Sequence, residues 1–314
     1  MKEEFDFYSK TSLKSYNLNE TMRYQLGLLD TLDAFTKRHS ENVANITCRL
    51  CEYLRLSKDF TVYCTICAYL HDIGKLFIPP SILQKPGALT DEEYETMKTH
   101  TTIGYKMCMD DPKLKPFAAG TIYHHEALNG TGYPKGLTKK DIPLEGRIIR
   151  IADEFDAIVS KRQYKSHIGI TDTLKILIKD ATPDQTIPKS VALKSMQENA
   201  YLGKISPKIL RALFKVVIDD TNYEISCIMD YSKYLQTQID RLEEINKLNI
   251  KMQKTNSKRK KEYYEAAIKL MFQGGETFRN YVYVLEEYRT AKIQRSEIIN
   301  NLFAEIKEIK KLRV

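Results

Sequence analysis

The chain of 314 residues contains no apolar run that approaches the ~18 residues a helix needs to cross a bilayer. Its first residues, MKEEFDFYSKTSLK, include no basic segment that leads into an apolar stretch, so nothing in them predicts export. We therefore expect a cytoplasmic protein with no membrane segment.

Proline is absent from the last 107 residues, because all ten prolines lie at or before Pro207. The same stretch contains two glycines, Gly274 and Gly275. Apolar residues recur there every three or four positions, which predicts two long helices that flank the sequence QGGE. This shift in composition predicts a boundary near residue 220. The helices beyond it could form a homodimer, contact a partner or cover an active site.

Cysteine is scarce, with six residues, but four of them form the CxxC pairs Cys48–Cys51 and Cys64–Cys67. This spacing is found in zinc sites. Both pairs, however, lie in helix-like segments that lack the glycine and proline of a zinc knuckle. We interpret them as small buried residues on apolar helix faces, and we expect no disulfide in a reducing compartment.

Convincing strand alternation is missing from the first 220 residues, where apolar residues recur at helical spacing. The segment SENVANITCRLCEYLRL predicts a helix with Ser40 as its N-cap, and TDEEYETMKTH predicts a helix that begins after Thr90. In LEGRIIRIADEFDAIVSK, Ile148, Ile151 and Phe155 share one face. The sequence therefore predicts an all-α fold.

Histidine is also scarce, with six residues, yet five of them lie on apolar helix faces or beside a glycine-rich turn. Buried polar groups are costly unless they are paired or bound to something. Imidazole and carboxylate together suit zinc, iron or manganese, and one aspartate can bridge two ions. The alternative is a set of ordinary polar core residues. The candidate ligands are His39, His71, Asp72, His100, His124, His125 and Asp153.

Several segments, in this order, resemble the HD-GYP domain, the cyclic di-GMP phosphodiesterase branch of the HD superfamily. They are DAFTKRHSENVA (33–44), HDIGK (71–75), PPSILQKPGALTDEEYETMKTH (79–100), HHEALNGTGYPKGL (124–137) and RIIRIADEFDAIVSKRQY (147–164). The resemblance implies an all-helical HD-superfamily domain at 25–218, with an N-terminal segment at 1–24 and a long-helix extension at 219–314. It also implies metal ligands at the same seven positions, with two divalent ions, iron or manganese.

The resemblance further implies hydrolysis of cyclic di-GMP to pGpG, and in some relatives to GMP, by a hydroxide that bridges the two ions. Asp72 and Lys75 would be catalytic, with the Lys75 ammonium on a phosphoryl oxygen. The alternative for Lys75 is an ion pair with a nearby carboxylate. The residues that would contact substrate are Lys75, Gly130, Tyr133, Pro134, Arg162 and Lys165. For Arg162 and Lys165 the alternative is that each is an exposed cation with no role in binding. The resemblance also implies that the loop NGTGYP contacts diguanylate cyclase domains.

The sequence departs from the family pattern at HHEALNG, where Ala127 stands in place of an arginine and removes a cation near the substrate. Phe35 stands where members with a third metal carry glutamate, which favours two ions.

Two other functions stay open: a cyclic di-GMP sensor with little or no turnover, and a phosphodiesterase for another cyclic dinucleotide such as cyclic GMP-AMP. The net charge of +8 gives no specific nucleic-acid signal.

Overall fold

The computed structural model describes residues 34–85, 87–159 and 187–313. The α-helices within these ranges are α1 Ala34–Tyr53, α2 Lys58–Leu70, α3 Pro80–Leu83, α4 Asp91–Lys98, α5 His100–Asp110, α6 Ala119–Tyr123, α7 Leu144–Val159, α8 Lys189–Tyr201, α9 Pro207–Lys254, α10 Lys258–Met271 and α11 Tyr281–Lys311. Short 3-10 turns lie at Ile73–Phe77 and Lys115–Phe117. Because none of the described residues forms a β-strand, the predicted all-α fold is confirmed.

The described residues form two compact units. The first contains residues 34–159, except 86, together with 187–218 and 309–313, and the second contains residues 219–308. The predicted domain bounds stay a prediction. No helix in the described ranges combines the length and apolarity that a membrane crossing requires.

The core of the first unit forms where α1 packs against α2 and α7. Val43 and Leu50 of α1 and Ile148 and Ile151 of α7 are fully buried there, each at 0% exposure. Burial of a side chain of this size contributes about 1.5–3 kcal/mol to stability. The four cysteines of the CxxC pairs are also buried and free, which confirms their interpretation as small core residues.

Helix α4 begins where the sequence predicts. The Thr90 hydroxyl accepts a hydrogen bond from the Glu93 amide at 3.3 Å, and the Thr90 amide donates to the Glu93 carboxylate at 2.8 Å. This reciprocal pair is a capping box. The prediction of Ser40 as an N-cap is wrong, because the chain is already helical at Ala34 and Ser40 lies inside α1. Serine in a helix interior carries no sequence mark that distinguishes it from a cap.

Helix α2 ends at Leu70, and the chain continues through the turn Ile73–Phe77. Pro80 occupies the first turn of α3, a position that tolerates proline because its missing amide proton needs no partner there. The end of α2 at Leu70 leaves His71 and Asp72 outside regular helix.

The second unit is built around an apolar cluster formed by Ile239, Leu242, Ile245, Ile268, Tyr281 and Leu285. Two Arg241 nitrogens contact the Glu276 carboxylate at 2.6 Å each.

The prediction of two long helices that flank QGGE is wrong in one respect, because α10, of 14 residues, lies between α9 and this sequence. The break follows from Ser257, whose hydroxyl caps α10 by accepting from the Lys260 amide at 3.4 Å.

Candidate metal centre

His71 directly follows the last residue of α2, where helical carbonyls lose their intrahelical partners. Its Nδ1 atom donates to the Ala68 carbonyl at 2.7 Å. Because a carbonyl can only accept, this bond fixes a ring proton on Nδ1 and leaves Nε2 as the atom that can bind a metal. The Nε2 atom is buried and has no hydrogen-bond partner among the described residues. A histidine that binds metal through Nε2 needs this arrangement.

His100 and His124 are oriented in the same way. Nδ1 of His100 donates to the Met97 carbonyl at 2.7 Å, and Nδ1 of His124 donates to the Gly120 carbonyl at 2.9 Å. Burial lowers the pKa of both imidazoles, so both rings are neutral at pH 7. Their Nε2 atoms lie 3.2 Å apart. Two lone pairs at this distance repel each other, and a cation bound by both nitrogens removes that repulsion.

His39 extends from α1 to two aspartates of α7. Its Nδ1 atom lies 2.7 Å from Asp156 Oδ2, and its Nε2 atom lies 3.0 Å from Asp153 Oδ1. Burial opposes the charged imidazole, but the hydrogen bonds to Asp153 and Asp156 outweigh it and raise the pKa of His39 to about 10. Without metal, the ring is therefore protonated at pH 7. The Asn42 amide donates to the other Asp156 oxygen at 3.0 Å and fixes that carboxylate.

Asp72 lies between these histidines, with 1% of its surface exposed. Its Oδ2 atom is 3.3 Å from His71 Nε2 and 3.7 Å from His39 Nε2. Its Oδ1 atom is 3.4 Å from His100 Nε2 and 3.9 Å from His124 Nε2. One carboxylate thus presents a separate oxygen to each of two histidine pairs, as a ligand that bridges two ions must do.

Lys75 pairs with the same carboxylate. Its ammonium donates to Asp72 Oδ2 at 2.5 Å. Burial acts to raise the pKa of Asp72, but His71 and Lys75 outweigh it and hold that pKa well below its usual range. Asp72 is therefore an anion, as metal binding requires. The structure shows the ion pair that the sequence left as the alternative for Lys75, and its catalytic role stays a prediction.

His125 connects the cluster to the loop at Gly130–Pro134, which we call the GYP loop. Nδ1 of His125 lies 3.8 Å from Asp153 Oδ2. The Tyr133 ring stacks on the His125 ring, with centroids 4.6 Å apart and planes 26° apart. A Cβ atom at Gly132 would lie 2.2 Å from the Ala127 nitrogen, so the loop can approach this closely only with glycine there.

All seven predicted ligands come together in the first unit, as two sets of three that share Asp72. The first set is His39, His71 and Asp153, and the second set is His100, His124 and His125. Within each set, one ligand atom per residue lies within 4.8 Å of the others. His71 and Asp72 each carry a buried polar atom with no partner among the described residues, and a bound cation would satisfy both atoms. Imidazole with carboxylate suits a transition metal, so these residues fit divalent ions.

The predicted substrate residues are placed only in part. Pro134 is exposed, whereas Tyr133 and Gly130, which has a φ of +82°, are partly buried. Arg162 and Lys165 lie outside the described residues. Substrate contact at any of these positions stays a prediction.

Two positioning residues were not predicted from the sequence. Asp156 orients His39, and its only signal is its position three residues after Asp153 on the same helix. Glu126 is buried and accepts hydrogen bonds from the amides of Lys135 and Leu137, each at 2.8 Å. It thereby holds the end of the GYP loop. Its position directly after two histidines was a signal, but the pattern alone does not reveal which backbone groups a carboxylate will meet.

The first unit is thus an all-α domain in which buried imidazoles and carboxylates converge. The sequence matches the HD domain family over residues 25–187, just over half of the chain. The chain therefore belongs to the HD domain family. The order of its HD, HH and GYP motifs is that of the HD-GYP branch.

Three curated relatives each match about half of the chain. The chain is 39% identical over 173 residues to a cyclic di-GMP phosphodiesterase of Thermotoga maritima, covering 53% of this chain and 47% of the relative. It is 38% identical over 148 residues to the cyclic di-GMP phosphodiesterase response regulator RpfG of Xanthomonas campestris pv. campestris, covering 46% and 39%. It is 35% identical over 150 residues to the 3′3′-cGAMP-specific phosphodiesterase 3 of Vibrio cholerae serotype O1, covering 48% and 33%. The matched region spans less than half the length of these three relatives.

Proposed function

We propose that the protein is a metal-dependent phosphodiesterase that hydrolyses cyclic di-GMP to linear pGpG. The observation that carries this proposal is the convergence of seven ligands into two sets joined by Asp72. The relatives named cyclic di-GMP phosphodiesterases support the choice of substrate. Further cleavage of pGpG to GMP would use the same ligands, and analysis of the products distinguishes the two end points.

The two sets would hold two divalent ions, which we propose to be iron or manganese. The first ion would be bound by His39, His71 and Asp153, and the second by the three histidines of the second set. Asp72 would bridge them, since each of its oxygens faces one set. Divalent ions in such sites polarise phosphoryl oxygens and allow water to act as a nucleophile at neutral pH.

The chain supplies positioning and further positive charge. Lys75 lies beside Asp72, so its ammonium could donate to a phosphoryl oxygen as negative charge develops there. Tyr133, stacked on His125, holds the GYP loop against the second set, with Pro134 exposed and Gly130 partly exposed. Arg162 and Lys165 would contribute further cations toward phosphate or guanine.

A specific observation favours a second substrate. The chain is similar to a phosphodiesterase specific for 3′3′-cGAMP as well as to those named for cyclic di-GMP. Both compounds present the same phosphodiester group to the metal ligands. The sensor alternative rests on Ala127, which is buried and offers no cation where the family pattern has arginine.

Two partner contacts stay predictions. One is between the GYP loop and diguanylate cyclase domains, and the other is a homodimer formed through the C-terminal helices. Size measurement of the full chain, alone and mixed with a cyclase domain, would test both. A monomer at every concentration and a mixture with no larger species would contradict them.

The function is tested by turnover of protein purified without oxygen and loaded with Fe²⁺ or Mn²⁺. We expect metal-dependent conversion of cyclic di-GMP to pGpG, and loss of this activity in Asp72→Asn. Parallel assays with 3′3′-cGAMP would rank the two substrates, and chromatography would show whether GMP forms. Tight binding of cyclic di-GMP with no hydrolysis under either metal would overturn the proposal in favour of a sensor.

A further inference from the structure

Three side chains from α4 and the GYP loop form a corner beside the second set. We call Tyr94, Lys98 and Tyr133 the aromatic corner. Tyr94 and Lys98 are four residues apart on α4 and therefore lie on one helix face. The Tyr94 and Tyr133 rings meet nearly at right angles, at 78°, with centroids 6.5 Å apart. The Lys98 ammonium lies 5.1 Å from the centre of the Tyr94 ring and 5.7 Å from that of Tyr133.

The corner is linked directly to the candidate metal ligands. The Tyr133 ring stacks on His125, a member of the second set. Tyr94 is 48% exposed, so much of its ring remains open to a ligand. The His125 ring contacts the Tyr133 ring, which in turn contacts the Tyr94 ring. A nucleotide with its phosphate at the candidate metal ligands would therefore have the exposed Tyr94 ring nearby.

The corner also holds a positive charge in place. Ring faces attract the Lys98 ammonium, and Glu95, one turn earlier on α4, forms an ion pair with it. An ammonium group carries three N–H donors, and one carboxylate does not occupy them all. Lys98 can therefore donate to an acceptor on a ring that stacks against Tyr94.

We propose that the aromatic corner binds a guanine base of a cyclic dinucleotide, with Tyr94 stacking on the base and Lys98 donating to its O6 and N7 acceptors. This inference rests on the proposed function, since it assumes that the substrate's phosphate lies at the metal ligands. Guanine presents two neighbouring acceptors, whereas adenine presents one acceptor beside an amino donor. Lys98 would thus be a specificity-determining residue that requires at least one guanine.

This assignment has a consequence for a mixed cyclic dinucleotide. If the guanine of 3′3′-cGAMP occupies the corner, only one of its two phosphodiesters faces the metal ligands. The enzyme would then open the ring at one bond and release mainly one of the two possible linear products. Loss of the Lys98 donor should allow both orientations.

The test compares wild type with Lys98→Gln, Tyr94→Leu and Tyr94→Phe, and uses Lys194→Gln, an exposed lysine of α8, as the control. Dissociation constants and kcat and KM are measured for cyclic di-GMP, 3′3′-cGAMP and cyclic di-AMP. We expect Lys98→Gln to reduce the preference for cyclic di-GMP over cyclic di-AMP about 5- to 100-fold, mainly through KM. It should also convert the single 3′3′-cGAMP product into a mixture.

We expect Tyr94→Leu to weaken binding of all three compounds about 5- to 100-fold, because stacking does not depend on the identity of the base. Tyr94→Phe keeps the ring and should keep the affinity. If Lys98→Gln fails to fold, as judged by helical circular dichroism, the Tyr94 pair carries the test.

The outcomes separate this inference from the phosphodiesterase itself. If Lys98→Gln and Tyr94→Leu both keep the affinity and base preference of the wild type, the proposed role of the aromatic corner is overturned, even if the wild type hydrolyses cyclic di-GMP. Binding without hydrolysis, accompanied by the expected shifts, supports the corner and overturns the phosphodiesterase. A wild-type protein that binds none of the three compounds overturns both.

Discussion

The two ligand sets differ in how one of their histidines is oriented. In the first set, the Ala68 carbonyl fixes His71, but the Asp156 side chain fixes His39. In the second set, the carbonyls of Met97 and Gly120 fix His100 and His124. A side-chain carboxylate is lost when one residue is substituted. A backbone carbonyl near a helix end, in contrast, is present in every sequence that forms the helix. The orientation of His100 and His124 is therefore built into the local fold, whereas that of His39 depends on contact between α1 and α7.

The sets also differ in charge. The first set includes Asp153 and a histidine that is protonated at pH 7 without metal. In the second set, burial lowers the pKa of all three histidines, so it contributes neutral rings. An ion in the first set would thus be bound by the Asp153 carboxylate but would have to displace a proton from His39. An ion in the second set would be bound by the lone pairs of neutral imidazoles and by the shared Asp72. We expect the second ion to dissociate first during chelation.

The largest effect should come from Asp72→Asn, which weakens both sets at once. We expect hydrolysis to fall by more than about 100-fold and metal content to drop at both positions. Elemental analysis and turnover of cyclic di-GMP provide the measurement, and Asp110→Asn, an exposed aspartate of α5, is the matched control. A variant that retains two ions would show that Asp72 is not a bridge.

A pair of substitutions separates the sets. His39→Asn should remove the ion of the first set, and His124→Asn should remove that of the second, each reducing metal content from two ions per chain to one. We expect turnover to fall about 100-fold in both variants, because neither ion alone completes the site. If either variant loses both ions, the sets are not independent positions.

A smaller effect is expected from the orienting carboxylate. Asp156→Asn leaves every ligand in place but weakens the hold on His39, so affinity at the first position should fall about 10- to 100-fold. Affinity at the second position should not change, and competition with a fluorescent chelator can resolve the two. Asn42→Ala removes only a neighbour of Asp156 and should have a weaker effect in the same direction. An equal loss of metal affinity at both positions would contradict the claim that Asp156 acts on the first position alone.

The smallest effect concerns protons. Because the pKa of His39 is raised to about 10, an ion that binds its Nε2 at pH 7 must displace a proton. Affinity at the first position should therefore increase as the pH rises from 7 toward 10, whereas the second position should change little. Calorimetry of metal binding in buffers of different ionisation enthalpy measures the proton count. Release of the same number of protons by His39→Asn would contradict this assignment.

The helical class could be predicted from the sequence, and so could the seven candidate ligands that the structure brings together, because imidazoles and carboxylates rarely lie on apolar helix faces unless they bind a cation or one another. Contacts that depend on tertiary packing could not be predicted in this way. The role of Asp156 requires α1 to lie against α7, and the pairing of Tyr94 with Tyr133 requires a loop to meet α4. Ser40 shows the converse, since a residue typical of caps lies inside a helix that extends further toward the N-terminus.

The bridging role of Asp72 is tested most directly by anomalous X-ray scattering from crystals of the full chain grown with Mn²⁺. We expect two ions, one bound by each set, with a different oxygen of Asp72 on each. A single ion, or two ions that leave Asp72 unbound, would contradict a shared binuclear centre.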